Sequence, residues 1–221
     1  GQPSPYGSPQ PVYAGAPGSP PPVFSPAPPK KARVGRVLAI VGGALATVLV
    51  LCAVGGYFFI GRDLINEGNA SLSTPDTVAG LKKSTDAKLT KELGTLSNEL
   101  KNDVGLDDTI AAAYEDPKDP QKLVLLVGGT TLVFSPESEL DSAFVSLNEE
   151  PGAKVEGVTD VNPGELGGSA RCGTIKDEDM TYAVCAWADH GSFVMGFFFN
   201  RDVEQSATLL RQIRSEILTR G

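Results

Sequence analysis

The single histidine of the chain, His190, lies in the run Asp189-His190-Gly191-Ser192. Aspartate, histidine and serine are the residue types of a hydrolytic triad, but a triad needs three side chains that converge from different elements. Neighbours in one tight turn cannot adopt that geometry. We therefore interpret the run as a turn between two strands.

Scattered carboxylates offer a second kind of chemistry. Asp160, Glu165 and Asp189 could act as a general acid and base if the fold brought two of them into one cleft. The acidic turns 115–119 and 177–179 lack the loop length and ligand spacing of a calcium motif. We interpret them as solvated turns.

Two glycine pairs, Gly128-Gly129 and Gly167-Gly168, are unlike phosphate-binding loops because neither precedes a Gly-Lys-Ser/Thr helix start. One histidine and few thiols leave a zinc site short of ligands. The sequence therefore predicts no catalytic residue, no cofactor and no metal site.

Cysteine spacing predicts a cross-link. Cys172 and Cys185 are the only cysteines after Cys52. In a hairpin centred on residues 178 and 179, facing residues have numbers that sum to 357, and this pair meets that condition. A disulfide here would close a loop of about 14 residues and stabilise the fold by about 3 kcal/mol. Two reduced thiols or a metal site are the alternatives.

Three amphipathic helices are predicted to position these side chains. Leucines recur at helical spacing over 84–102, from Leu89 to Leu100. Ser135-Pro136-Glu137 is a helix start with a proline in the first turn. Asn200 or Asp202 can cap a last helix, whose apolar face contains Val203, Ala207, Leu210, Ile213 and Ile217.

Six apolar or β-rich runs predict strands. A hairpin is expected from 109–114 and 122–127, and four further strands near 154–160, 169–176, 181–188 and 192–199. Short turns between consecutive strands favour antiparallel pairing. The predicted fold class is α+β, with a mainly antiparallel sheet and helices on one face.

Charge is segregated along the chain. Residues 1–29 contain no charge and 11 of the 17 prolines, which predicts a disordered cytoplasmic tail. The spacing Pro17-Gly-Ser-Pro20 could dock on a protein partner with an aromatic groove, but we favour a solvated tether, because such spacing arises by chance in any proline-rich stretch. Residues 61–221 contain 15 basic and 27 acidic residues, a net charge of −12, which argues against nucleic-acid binding.

A membrane span is predicted at 37–60, which is 24 residues without a charge. About 36 Å of helix would cross the bilayer with some tilt. The basic cluster of 30–36 precedes the span, and its residues are Lys30, Lys31, Arg33 and Arg36. The positive-inside rule then places the N-terminus in the cytoplasm and the rest outside the plasma membrane.

The same organisation predicts two further segments, and the span itself suggests a homodimer. Residues 61–74 are predicted to form a linker, and residues 75–221 an extracytoplasmic domain. Small residues at Ala39-x-x-x-Gly43 would permit close helix contact, so the span could form a homodimer.

The chain resembles the uncharacterised single-pass membrane proteins abundant in high-GC actinobacteria. The resemblance rests on the proline-rich tail, the basic cluster, the apolar span and the run Cys172-Gly…Cys185-Ala-Trp187-Ala-Asp189. It implies a location in the cell envelope and supplies no activity.

The leading functional hypothesis is a non-catalytic envelope protein whose exported domain binds or senses a partner or ligand. It rests on the lack of a nucleophile–base pair or metal cluster in the sequence. An envelope hydrolase or transferase using Asp160, Glu165 and Asp189 is one alternative. A signalling regulator acting through the proline-rich tail is the other.

Overall fold

The computed structural model of the protein describes residues 70–104, 106–177 and 180–220. The predicted tail (1–29), basic cluster (30–36) and membrane span (37–60) lie outside these residues. Among the residues described, no helix is long and apolar enough to cross a membrane.

The described residues form ten strands and three helices. The strands are β1 (Ala70–Leu72), β2 (Thr77–Val78), β3 (Leu81–Lys83), β4 (Thr109–Asp116), β5 (Asp119–Thr130), β6 (Val155–Asp160), β7 (Ser169–Asp177), β8 (Met180–Ala188), β9 (Ser192–Phe199) and β10 (Leu218–Arg220). The helices are α1 (Ala87–Val104), α2 (Pro136–Glu149) and α3 (Val203–Ile217).

Eight of the strands form one sheet in the order β2-β3-β4-β5-β9-β8-β7-β6. Every neighbouring pair in this sheet is antiparallel. The chain builds one half as β2 to β5, crosses to the far edge through α2, and returns as β6 to β9. The α+β class and the antiparallel sheet are confirmed.

The helices cover both faces of the sheet, so the prediction that they pack on one face is wrong. Leucines of α1 and α2 join one apolar cluster with alternate residues of β8 and β9, such as Val184 and Phe197. Leu210 and Ile213 of α3 join a second cluster with the intervening residues, such as Cys185 and Phe198. All eight residues of β9 are buried, because a strand that is apolar on both faces must be covered on both.

Side chains at the helix ends set the helix boundaries. Asp86 Oδ1 accepts the backbone N–H groups of Lys88 and Leu89, so α1 begins at Ala87. Asp202 Oδ1 accepts the N–H of Gln205 at 2.8 Å and is the N-cap of α3. Of the two caps predicted for this helix, the structure therefore uses Asp202.

The hairpin of β7 and β8 has the predicted register. Cys172 is the cross-strand partner of Cys185, with the Cα atoms 4.0 Å apart, and the two form a disulfide. Both cysteines are fully buried on the α3 side of the sheet. The disulfide therefore stabilises the strand pair beneath α3.

A two-stranded ribbon lies apart from the main sheet. Strand β1 pairs antiparallel with the last strand, β10, and Leu72 is the partner of Leu218. Strand β1 therefore lies inside the range 61–74 that the sequence predicts as a linker. Because Ala70 is the partner of Arg220, the first and last described residues lie side by side.

Two glycines give a test of this packing. Gly128 lies in β5, and a Cβ there would come 2.6 Å from Val194 Cα and against the Phe193 carbonyl oxygen. We expect Gly128→Ala to lower the free energy of unfolding by about 3 kcal/mol, because rigid backbone atoms must move. Urea titration of the full chain in detergent would measure the change.

Gly94 supplies the matched control. It is exposed in the middle of α1, and a Cβ there meets no atom within 4 Å. Gly94→Ala should raise the free energy of unfolding by about 1 kcal/mol through helix propensity. A Gly128→Ala protein as stable as the wild type would contradict the close approach of β5 and β9.

Candidate functional site

A buried carboxylate lies where β8 ends. Asp189 Oδ1 accepts the backbone N–H of Gly191 at 2.9 Å. Its Oδ2 lies 2.7 Å from Arg214 Nη2 and 3.0 Å from Arg220 Nη2. We call these three residues the Asp189 cluster. It joins the main sheet to α3 and to the C-terminal strand β10.

Arg214 is the most connected member of the cluster. Its Nη1 donates to the carbonyl oxygens of Pro163 (2.9 Å) and Gly167 (2.6 Å). The guanidinium carbon lies 5.8 Å from the centre of the Trp187 ring, within reach of a cation–π interaction. Its Nε is buried and has no hydrogen-bond partner among the described residues.

Burial and pairing shift the pKa values of Asp189 and Arg214 in opposite directions. Burial alone would raise the pKa of Asp189, but hydrogen bonds from Gly191 and Arg214, with the charge of Arg214, lower it overall. Burial lowers the pKa of Arg214, and Asp189 only partly offsets this. Since an arginine remains protonated at neutral pH even so, both groups are charged.

The loop between β6 and β7, residues 161–168, is shaped by its own sequence. Asn162 Oδ1 accepts the N–H of Gly164 at 2.8 Å, which closes a tight turn. Gly168 has a φ of +74°, and a Cβ at this position would lie 2.5 Å from the Ala188 carbonyl oxygen. Glycine is required here because the loop passes against the end of β8.

A cavity of about 480 Å³ lies between this loop and α3, and we call it the loop cavity. Its walls include the apolar side chains of Pro163 and Leu166 and the buried Arg214. Glu165 and Arg211 also line it, and neither makes a hydrogen bond or ion pair with another residue of the described ranges. The loop cavity therefore holds an unpaired carboxylate and an unpaired guanidinium group.

The structure separates the three carboxylates that sequence reasoning considered together. Asp160 is exposed and pairs with Arg171 at 2.7 Å, and Arg171 also contacts Asp141. Glu165 lines the loop cavity, whereas Asp189 lies behind Arg214 with a side chain only 2% exposed. One carboxylate reaches the cavity, so no acid–base pair forms from this set.

The Asp-His-Ser run forms a turn between β8 and β9, as predicted. His190 Nδ1 lies 2.9 Å from the Val133 carbonyl oxygen. Ser192 Oγ instead accepts a hydrogen bond from Trp187 Nε1 at 3.2 Å. Because histidine and serine have separate partners, they do not form a nucleophile–base pair.

The acidic turn between β4 and β5 is held by local bonds. Asp116 Oδ1 accepts the N–H of Lys118, and Asp119 Oδ1 accepts the N–H of Gln121. The other acidic turn, 177–179, includes residues 178–179, which lie outside the residues that the structure describes. In the part of the chain that is described, no three His, Cys, Asp or Glu side chains are grouped to hold a metal ion.

Sequence reasoning missed the two arginines of the Asp189 cluster, although one left a signal. Arg214 follows Leu210 by four residues and Ile213 by one, so it belongs to the apolar face of α3. A charged residue at such a position has to be paired. Arg220 gave no comparable signal, because it lies in the short strand β10.

The Asp189 cluster predicts a pH-dependent stability. Asp189→Asn keeps the shape but leaves Arg214 buried without a counter-charge, so the free energy of unfolding should fall by about 3–5 kcal/mol at pH 7. The folded state lowers the pKa of Asp189 below its unfolded value of about 3.9. The stabilisation by ionised Asp189 is therefore fully present above the unfolded-state pKa of about 3.9. It is lost as the pH falls through the pKa of Asp189 in the folded state.

Urea unfolding followed by the fluorescence of Trp187, the only tryptophan in the chain, would measure this. The difference between wild type and variant should shrink below about pH 4. Asp141→Asn, in an exposed ion pair, is the control and should change stability by less than about 1 kcal/mol. An Asp189→Asn protein with wild-type stability at pH 7 would refute the role given to the cluster.

Protein-family models and curated sequences offer no relative of this chain. The function is therefore inferred from the geometry and charge of the site itself.

Proposed function

We propose that the chain is a non-catalytic, single-pass protein of the plasma membrane whose exported domain binds a small anionic ligand in the loop cavity. The N-terminus is cytoplasmic in this proposal, and the proline-rich tail is a tether or a docking segment for a protein partner. The observation that carries the binding function is the unpaired guanidinium group of Arg211 in a partly apolar cavity.

Local charge favours an anion in the loop cavity. The cavity and the Asp189 cluster behind it contain three guanidinium groups, of Arg211, Arg214 and Arg220, against the carboxylates of Glu165 and Asp189. This local excess of positive charge contrasts with the net charge of −12 over 61–221. A carboxylate or phosphate is the ligand group that arginine binds best.

The cavity walls favour a ligand that also has an apolar part. Pro163 and Leu166 would cover apolar surface, and the buried Nε of Arg214 is a donor that lacks an acceptor. Ligand sites commonly combine apolar walls with a few polar groups of this kind. The cavity contains one free carboxylate, Glu165, which supports binding over acid–base catalysis.

Membrane attachment is supported by the uncharged run 37–60 and the basic cluster before it. Nine residues, 61–69, would connect that span to β1, and they reach at most about 30 Å. The β1–β10 ribbon would therefore lie close to the outer surface of the bilayer.

Topology can be tested by cysteine labelling in intact cells. Thr95 is exposed in α1, so Thr95→Cys should react with a membrane-impermeant maleimide from outside. Ser4→Cys should react only after the cells are permeabilised. Labelling of Ser4→Cys but not Thr95→Cys in intact cells would overturn the proposed orientation. The parent protein is the control for Cys52.

Binding can be tested with benzoate as a probe, because it joins a carboxylate to an apolar ring. Trp187 lies beneath Arg214, so benzoate in the loop cavity should change its fluorescence saturably. Benzamide, which lacks the charge, should bind about tenfold more weakly. Arg211→Gln should weaken benzoate binding by a similar factor, because it removes the unpaired guanidinium group.

Arg201→Gln is the matched control, since Arg201 does not line the loop cavity. It should bind benzoate as the wild type does. Equal affinity for benzoate and benzamide, or full binding by Arg211→Gln, would contradict anion binding at this site.

A further inference from the structure

A second cavity, of about 440 Å³, lies between α3 and the hairpin of β2 and β3, and it shares only Gln212 with the loop cavity. We call it the hairpin cavity. Its apolar walls include Leu81 from β3 and Leu209 from α3. Asp116, Arg201 and Glu204 supply its charged groups.

Arg201 is held at this cavity by the turn that joins β9 to α3. Asn200 before it has a φ of +53°, a left-handed conformation that asparagine tolerates better than most residues. The Asn200 side chain donates to the Gln121 carbonyl oxygen at 2.7 Å, which fixes the turn. The Arg201 side chain, only 6% exposed, is thereby directed inward beside Asp116.

The guanidinium group of Arg201 is incompletely paired. Its Nη2 lies 3.5 Å from Asp116 Oδ2, and its Nη1 is buried with no hydrogen-bond partner in the described part of the chain. A buried donor without an acceptor is destabilising and uncommon in folded proteins. Since Arg201 lines the hairpin cavity, Nη1 is the donor that an acceptor bound there would satisfy.

The surrounding charge determines which acceptor fits. Asp116 and Glu204 line the cavity, and Asp119 is close enough to act on the charge of Arg201. Burial lowers the pKa of Arg201, and the charges of Asp116 and Asp119 only partly offset this effect. Three carboxylates around one guanidinium group disfavour a further anion. A neutral carbonyl oxygen, accompanied by an N–H or ammonium donor, fits this charge pattern.

We propose that the hairpin cavity is a second binding site, separate from the loop cavity, and that it takes a short peptide with a basic side chain. A peptide carbonyl oxygen accepts from Arg201 Nη1. The basic group pairs with Glu204 at the exposed side of the cavity, and the aliphatic part of the side chain packs on Leu81 and Leu209. This ligand class combines the neutral acceptor and the cationic donor that the residues require.

The test uses N-acetyl-L-lysine methylamide as the probe and the full chain in detergent, with binding followed by saturation-transfer NMR of the probe. Arg201→Gln should weaken binding about tenfold, because the carbonyl loses its charged donor. Arg211→Gln, in the loop cavity, is the matched control and should bind the probe as the wild type does. Equal binding by Arg201→Gln and the wild type would overturn the proposal.

A second comparison does not depend on the folding of Arg201→Gln. Glu204 is exposed on α3, so Glu204→Gln should fold normally. It should weaken binding of the lysine probe several-fold while leaving N-acetyl-L-alanine methylamide unaffected. N-acetyl-L-glutamate methylamide should bind more weakly than the lysine probe. A glutamate probe that binds as well as the lysine probe, or acetate that displaces it, would refute the assignment.

Discussion

The ion pair between Asp189 and Arg214 is the interaction on which the arrangement of this domain depends. Two charges with side chains 2% and 1% exposed are costly to bury unless their hydrogen bonds are satisfied. Here one carboxylate and one guanidinium group bind a turn amide, two loop carbonyls and a second arginine. The pair therefore fixes the sheet, the 161–168 loop, α3 and β10 in one geometry.

The position of α3 explains both cavities. The helix covers one face of a sheet whose other face is covered by α1 and α2. The 161–168 loop flanks α3 on one side and the β2–β3 hairpin on the other, and a cavity lies along each border. Arg211 in the loop cavity is set among excess positive charge, whereas Arg201 in the hairpin cavity is set among carboxylates. The two cavities that border α3 therefore differ in the sign of the charge around their arginines.

Local sequence patterns predicted the hairpin register and the helix cap, because both depend on residues that are close in sequence. The facing of Cys172 and Cys185 followed from hairpin register, and the cap at Asp202 from helix chemistry. The β1–β10 ribbon was missed because two three-residue strands, far apart in sequence, leave no periodic signal. The second helix layer was missed too, although the uninterrupted apolar run of β9 indicated two covered faces.

The candidate site was less predictable for a related physical reason. Asp189 was noticed as a carboxylate, but its role depends on Arg214 and Arg220, which are 25 and more residues away in sequence. Pairing across such distances is set by the topology and not by spacing. Likewise, Arg201 and Arg211 differ in their charged surroundings because different elements face them.

The most direct test of this account is a double-mutant cycle for unfolding at pH 7 with Asp189→Asn and Arg214→Met in the full chain. If the buried pair organises the domain, each single variant leaves an unpaired group. The double variant should then be more stable than the sum of the two single changes implies, by about 1–3 kcal/mol. Strictly additive effects would show that Asp189 and Arg214 act independently, and would contradict the central role given to their pairing.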